Sequence, residues 1–161
     1  MRILKITLLI LGSVILQITL IARIPLFGSR PDLPLALVVS VALFRGPLQG
    51  ELVGFASGLL CDLLSDGQFL GIQSFSKTAV GYGIGLVRGR LYSENLITQL
   101  VSGFIATIVV KVVTSVHLSL LLTDSKFLSI RFHGLILAAI LNSIITIAVF
   151  WVVKRSAKSE R

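Results

Sequence analysis

Charge is scarce in this chain, and acid is scarcer than base: 14% of its 161 residues are charged, with seven Asp and Glu against fifteen Lys and Arg. So little charge beside 55% hydrophobic residues and a mean hydropathy of +0.97 excludes an ordinary soluble domain and matches a polytopic membrane protein. The single cysteine, Cys61, excludes an intramolecular disulfide and, inside an apolar segment, reads as a packing thiol. Only two histidines are present, His117 and His133, with no acid or thiol cluster near either, so a zinc or di-metal site is not expected. No Walker, G-x-S-x-G or dinucleotide fingerprint occurs, and there is no internal repeat or low-complexity stretch.

What is present is a succession of apolar segments: about 3–22, 33–44, 48–64, 69–87, 96–122 and 134–153. Most approach the roughly 20 residues that a span requires. The expectation is an all-α, polytopic bundle of about six transmembrane helices forming one domain over residues 1–161, with no room for a soluble domain. The first segment begins with Arg2 and Lys5 like a signal peptide, yet its apolar run is too long and no small-x-small site precedes Arg23; a retained helix is expected. The second is the exception in length: about twelve residues cover roughly 18 Å of a ~30 Å core, so it needs neighbours to shelter it, tilt or extension by its flanks, or a re-entrant hairpin with the third.

A net charge of +8 in a soluble protein would suggest nucleic acid, but the positions of the charges argue otherwise. With the N-terminus inside, six spans put Arg2, Lys5, Arg45, Arg88, Arg90 and the tail residues Lys154, Arg155, Lys158 and Arg161 in the cytoplasm. Arg23, Arg30, Lys126 and Arg131 fall outside. Nine against four follows the positive-inside rule, so both termini are expected in the cytoplasm, with Trp151 an interfacial anchor and the basic tail on anionic headgroups. No nucleic-acid binding is expected.

Punctuation supports antiparallel neighbours. In "SRPDLP", Pro31 and Asp32 precede the second segment, Asp32 standing where an N-cap belongs; Arg45, Gly46 and Pro47 make a tight turn, and "SDGQ" at 65–68 makes another. Between the fifth and sixth segments, "DSKFLSIRF" suits the outer interface.

The third segment carries the most specific pattern. Stepping about 100 degrees per residue from Gly54 puts Gly50, Glu51, Ser57, Gly58, Cys61, Asp62 and Ser65 within an arc of about 140 degrees, opposite a leucine-rich face. Small residues at this spacing let another helix approach closely in lipid. The fourth segment has a matching side, with Ser74, Lys77, Gly81 and Gly85 among its residues. The two faces can mate with each other, or offer a groove to a partner's span. Counted from the turn near Gly67, Asp62 and Lys77 reach similar depth and are candidates for a buried ion pair. Lys111 has no carboxylate at its level, and Asn142 is its candidate partner. His117 lies opposite Lys111 on its helix and reads as interfacial. "SFSK" at 74–77 has S-x-x-K spacing, but no K-T-G, S-D-N or oxyanion element accompanies it, so catalysis is not supported.

The stretch "RPDLPLALVVSVALFRGPLQGELVGFASGLLCDLLSDGQFLG", residues 30–71, resembles the bacterial rod shape-determining protein MreD family in the order and spacing of its Pro-Asp, its Arg-Gly-Pro turn and a glycine ladder that ends in Asp; "GYGIGLVRGRL" extends the likeness weakly. Glu51 and Cys61 stand where that pattern is small or apolar. The resemblance implies a non-enzymatic scaffold of the cell-elongation complex in the bacterial inner membrane, without cofactor. Its implied partners are MreC and, through MreC, MreB, RodA and the transpeptidase that works with RodA, along with membrane lipids; a homo-oligomer is left open. It also implies a fold similar to the substrate-binding subunits of energy-coupling-factor transporters. A small-molecule, vitamin-like binding subunit of a transporter is therefore the alternative. The first segment lacks the Ala-x-x-x-Ala docking pattern of those subunits, and the outer connections are poor in groups that would fix a polar ligand.

Overall fold

A computed structural model describes residues 2–21, 30–64, 71–90, 92–122 and 132–158. Helix α1 (Arg2–Leu16) ends in a π-helical turn, Gln17–Ile21; α2 (Leu33–Arg45), α3 (Pro47–Leu64) and α4 (Ile72–Val87) follow, with a 3-10 turn at Arg88–Arg90; α5 (Leu96–Leu122) and α6 (Phe132–Lys158) complete the chain. No strand occurs among the described residues. The "SDGQ" turn, the segment 123–131, Arg23 and the side chain of His133 lie outside the described residues.

The shortest helix sits at the centre. Every residue of α2 from Pro34 to Leu43 is buried, and α2 packs against each of the other five helices. Its sequence explains this: "LPLALVVSVALFR" is apolar around its whole circumference, as a helix enclosed on all sides must be. One side (Leu35, Val39, Leu43) meets Val80 and Ile84 of α4, Ala106 and Val110 of α5 and Phe150 of α6. The other (Leu37, Val38, Val41) meets Ile10 and Val14 of α1 and Val53 of α3. A helix of this length is stable in an apolar setting because its neighbours shelter its ends as well as its sides.

The outer surface is reversed from that of a water-soluble protein. Leu8, Ile15, Leu52, Phe55, Phe75, Ile105, Ile140 and Ile144, among others, are exposed, while Ser40, Ser57, Gln99, Thr107, Asn142 and Thr146 are buried. Soluble monomers rarely expose contiguous apolar patches of more than a few hundred Å², and exposed large apolar side chains occur here on α1, α3, α4, α5 and α6 alike. Among the described residues, α5 over Leu96–His117 and α6 over Gly134–Ala157 are long and apolar enough to cross a membrane; α1 and α2 are apolar but shorter. At 1.5 Å per residue α3 and α4 reach roughly 27 and 24 Å.

Two turns fix the hairpins. Asp32 caps α2, its Oδ1 accepting from the Leu35 amide at 2.9 Å, with Pro34 in the first turn. At the other end Gly46 takes φ 97 and ψ −172 and donates its N–H to Ala42 O, closing α2 before Pro47 opens α3. Only glycine adopts that conformation without strain. Below it, Lys154 of α6 pairs with Glu94 at 2.8 Å and lies over the Trp151 ring at 5.2 Å; Glu94 is half exposed, so this contact adds little stability.

Gly46→Ala is expected to cost about 1–3 kcal/mol, and a Cβ there would also meet Arg88 Nη1 at 3.3 Å. The thermal midpoint of the detergent-solubilised protein should fall; an unchanged midpoint would show that the turn is not constrained.

Candidate functional site

The glycine-bearing faces of α3 and α4 lie against each other. A Cβ on Gly50 would sit 2.6 Å from the Gly81 carbonyl oxygen and from the Ala42 Cβ; one on Gly54 would strike the Lys77 carbonyl, and one on Gly58 the Ser74 Cα. Read from the other side, a Cβ on Gly81 would run into Gly50 and one on Gly85 into Pro47. The two backbones touch along this seam, so no side chain larger than hydrogen fits. Ser57 is buried in the same face and turns its hydroxyl back to Gly54 O at 3.4 Å; Ser74 donates to Phe55 O at 3.4 Å. The groove that the small residues of α3 form is thus filled by α4 of the same chain. Glu51, at the margin of this face, is only partly buried.

Asp62, at the end of this face, does not pair directly with Lys77. Its carboxylate accepts three backbone amides at the start of α4: Gly71 (3.0 Å) and Ser74 (3.0 Å) on Oδ2, and Gln73 (3.2 Å) on Oδ1. Gly71, the N-cap of α4, has φ 100 and no side chain with which to cap. Asp62 supplies the cap from the neighbouring helix, with its charge at the positive end of the α4 dipole. Counting depth from the turn found the correct level and the wrong partner, because the first amides of α4 lie nearer to Asp62 than the Lys77 ammonium does.

Lys77 is 1% exposed, the largest fully enclosed side chain among the described residues. Its Nζ is 3.1 Å from Asp32 Oδ2 and donates to Cys61 Sγ at 3.6 Å. Asp32 therefore holds both its expected cap and the counterion of Lys77. An ammonium in a low-dielectric interior is tolerated only when an anion sits beside it.

The backbone around Asp32 is held equally firmly. Gln17, in the turn that ends α1, donates from Nε2 to Pro31 O and accepts on Oε1 from Leu33 N, each at 2.9 Å. Asn142 of α6 accepts on Oδ1 from the Asp32 amide at 2.7 Å and donates to Thr107 Oγ1 of α5 at 3.0 Å. With Lys77 on α4 and Cys61 on α3, one connected network touches all six helices. Asn142 was the expected partner of Lys111; it is engaged here instead, and Lys111 is exposed on the surface of α5, where its long stem can carry the ammonium toward an interface. His117 lies with its ring centroid 5.6 Å from that of Phe75 and its Nδ1 at 3.2 Å from Val113 O.

Gln17, Asn142 and Thr107 were not singled out in the sequence as a group. The signal for them was polarity inside apolar segments, but segments 16 to 110 residues apart come together only through packing.

An apolar exterior, buried polar groups bonded from helix to helix, and two helices among the described residues long enough to cross a bilayer define a helical membrane protein. The chain belongs to the rod shape-determining protein MreD family, whose family model matches residues 1–156. Membership makes it a membrane protein concerned with rod shape, in a family not known for catalysis. No curated protein and no solved structure matches the chain.

Replacing Gly54 by Ala is expected to destabilise the bundle by roughly 1–3 kcal/mol through overpacking. Gly83→Ala, where a Cβ meets nothing within 4 Å, should leave the thermal midpoint unchanged; equal effects would mean that the seam is not tightly packed. For the ion pair, Lys77→Met alone strands Asp32 and should cost about 3–5 kcal/mol. Combining it with Asp32→Asn, which keeps the cap, should recover much of the loss. A double variant as unstable as the sum of the two singles would disprove the coupling.

Proposed function

We propose that the chain is a non-enzymatic scaffold of the cell-elongation complex in the bacterial inner membrane, crossing it six times with both termini in the cytoplasm. Through helix-to-helix contacts it binds the single-span protein MreC, and through MreC it associates with MreB, RodA and the transpeptidase that works with RodA. The observation that carries this reading is that the charged side chains Lys77 and Asp62, enclosed in the bundle, are each held by another part of the same chain, Lys77 by Asp32 and Asp62 by the start of α4. They act as clamps that make the bundle a rigid body. The excess of Lys and Arg at the Arg45, Arg88 and Lys154 end supports the orientation.

Because α3 and α4 occupy each other's glycine faces, a partner span needs another surface. The outward side of α4 suits it: Ala79 and Gly83 are exposed four residues apart, a Cβ on Gly83 would meet nothing, and Phe75, Tyr82 and Leu86 flank them. A small-xxx-small step open to lipid is the arrangement that lets a second helix come close.

The test is co-purification of tagged protein from its native membrane. MreC should accompany the wild type. Gly83→Leu should lose MreC while keeping its thermal midpoint and should fail to restore rod shape to cells lacking the native protein, whereas Gly54→Leu should lose midpoint and partner together. Wild-type protein isolated without MreC would refute the scaffold reading. Retention of MreC by Gly83→Leu would refute the α4 surface.

A further inference from the structure

The Glu51 carboxylate stands on the outer side of the α3–α4 hairpin without a counterion. Among the described residues no ion pair or hydrogen bond engages it, in contrast to Asp32 and Asp62, which the bundle uses. Along α3 its outward neighbours Leu48, Leu52 and Phe55 are exposed and apolar. A carboxylate in such a belt is costly until a cation reaches it. The glycine seam locates Glu51 relative to α4. Gly50 and Gly81 meet across the seam, and the next residue on each helix, Glu51 and Tyr82, points about 100 degrees further round. Because the two helices are antiparallel, both turn to the same outward side at about the same level. Tyr82 flanks the Ala79–Gly83 step, so the carboxylate lies beside the surface assigned above to a partner span. Pro47 opens α3, which puts Glu51 four residues, roughly 6 Å, inside the start of the helix.

We infer that Glu51 anchors the partner span through an ion pair with a Lys or Arg near that span's cytoplasmic end, beside Tyr82 and the Ala79–Gly83 step. The inference rests on the scaffold reading for the orientation of the bundle and for the partner. Charge complementarity chooses the occupant. Spans carry their Lys and Arg at the cytoplasmic flank. The long stems of these side chains let the charged head travel along the helix, far enough to cover the roughly 6 Å between the start of α3 and Glu51. A lipid phosphate has the wrong sign for this site, and headgroup ammonium groups lie outside the hydrocarbon belt in which Leu48, Leu52 and Phe55 hold the carboxylate. A two-fold dimer built on this face would present the same patch from both copies and so set Glu51 against its own like charge, which is repulsive. A single helix of opposite charge at its inner end meets none of these objections.

The experiment titrates full-length MreC against the full-length protein in neutral detergent and follows the thermal midpoint of the unbound protein in parallel. Glu51→Gln should weaken binding about tenfold, the ratio expected of one charge-assisted contact, at an unchanged midpoint. Glu51→Asp should keep part of the affinity, and Glu51→Arg should lose more than Glu51→Gln. Replacing the basic residues at the cytoplasmic end of the MreC span by Glu, one at a time, should yield a variant that binds Glu51→Arg better than it binds the wild type. In native membranes a photoreactive phenylalanine analogue in place of Tyr82 should capture MreC. Full affinity of Glu51→Gln, failure of every reciprocal exchange, or capture of a second copy of this chain from position 82 would each overturn the inference and leave the scaffold reading standing. A midpoint that falls along with the affinity of Glu51→Gln would assign the residue to the fold instead and overturn it too. Wild-type protein that does not bind MreC at all would overturn both.

Discussion

A lysine shut inside a helix bundle must find its neutralising anion within the same enclosure, and the rest of this structure is arranged around that requirement. The Lys77 ammonium has Asp32 at 3.1 Å. To stand there, Asp32 must lie at the start of a helix that begins deep inside the bundle, and α2 is that helix. Its brevity follows: a full-length span would carry Asp32 past the level of Lys77. A brief helix then needs its exposed amides and carbonyls met from outside itself, which Gln17 and Asn142 do. Desolvation makes such a pair a poor source of net stability. Its value is in fixing register, because sliding α2 or α4 by one turn would separate the charges.

The glycine seam serves the same end by a different force. Between helices in lipid the hydrophobic drive is weak, so close packing has to supply it. Contact of the α3 and α4 backbones across Gly50, Gly54, Gly81 and Gly85 provides that packing. Asp62 closes the seam at one end, binding the first amides of α4, and the Gly46–Pro47 turn closes it at the other, where Gly85 meets Pro47. The ion pair and the seam share Lys77, whose carbonyl faces Gly54 while its ammonium reaches Asp32. One residue therefore couples the α3–α4 hairpin to α2.

Hydropathy breaks and turn residues were enough to place the helices within a few residues, and helical spacing was enough to show which sides of α3 and α4 carry no bulk. The pairing of charges was not legible. Asp62 and Lys77 sit on adjacent antiparallel helices, so counting along the chain can compare their depths; Asp32 belongs to a different hairpin, and nothing in one sequence states that α2 starts beside the middle of α4. The same limit misdirected Asn142 toward Lys111. Both have the right depth, but rotation of α5 about its own axis, which packing sets, turns Lys111 outward and Thr107 inward. Depth is a one-dimensional quantity that a sequence carries; rotation and neighbour choice arise only when several helices compete for the same space.

The order of the residues in the network has a consequence for biogenesis. Translation delivers the chain from its N-terminus, so Asp32 and Asp62 are synthesised before Lys77. An unaccompanied lysine at mid-membrane depth costs about 2.5–3.5 kcal/mol during insertion, whereas here each carboxylate is already waiting, one for the ammonium and one for the amides of the arriving helix. Asn142 comes last in the chain and joins the group through the Asp32 amide, so the counterion of the ammonium is already made when the lysine-bearing helix is.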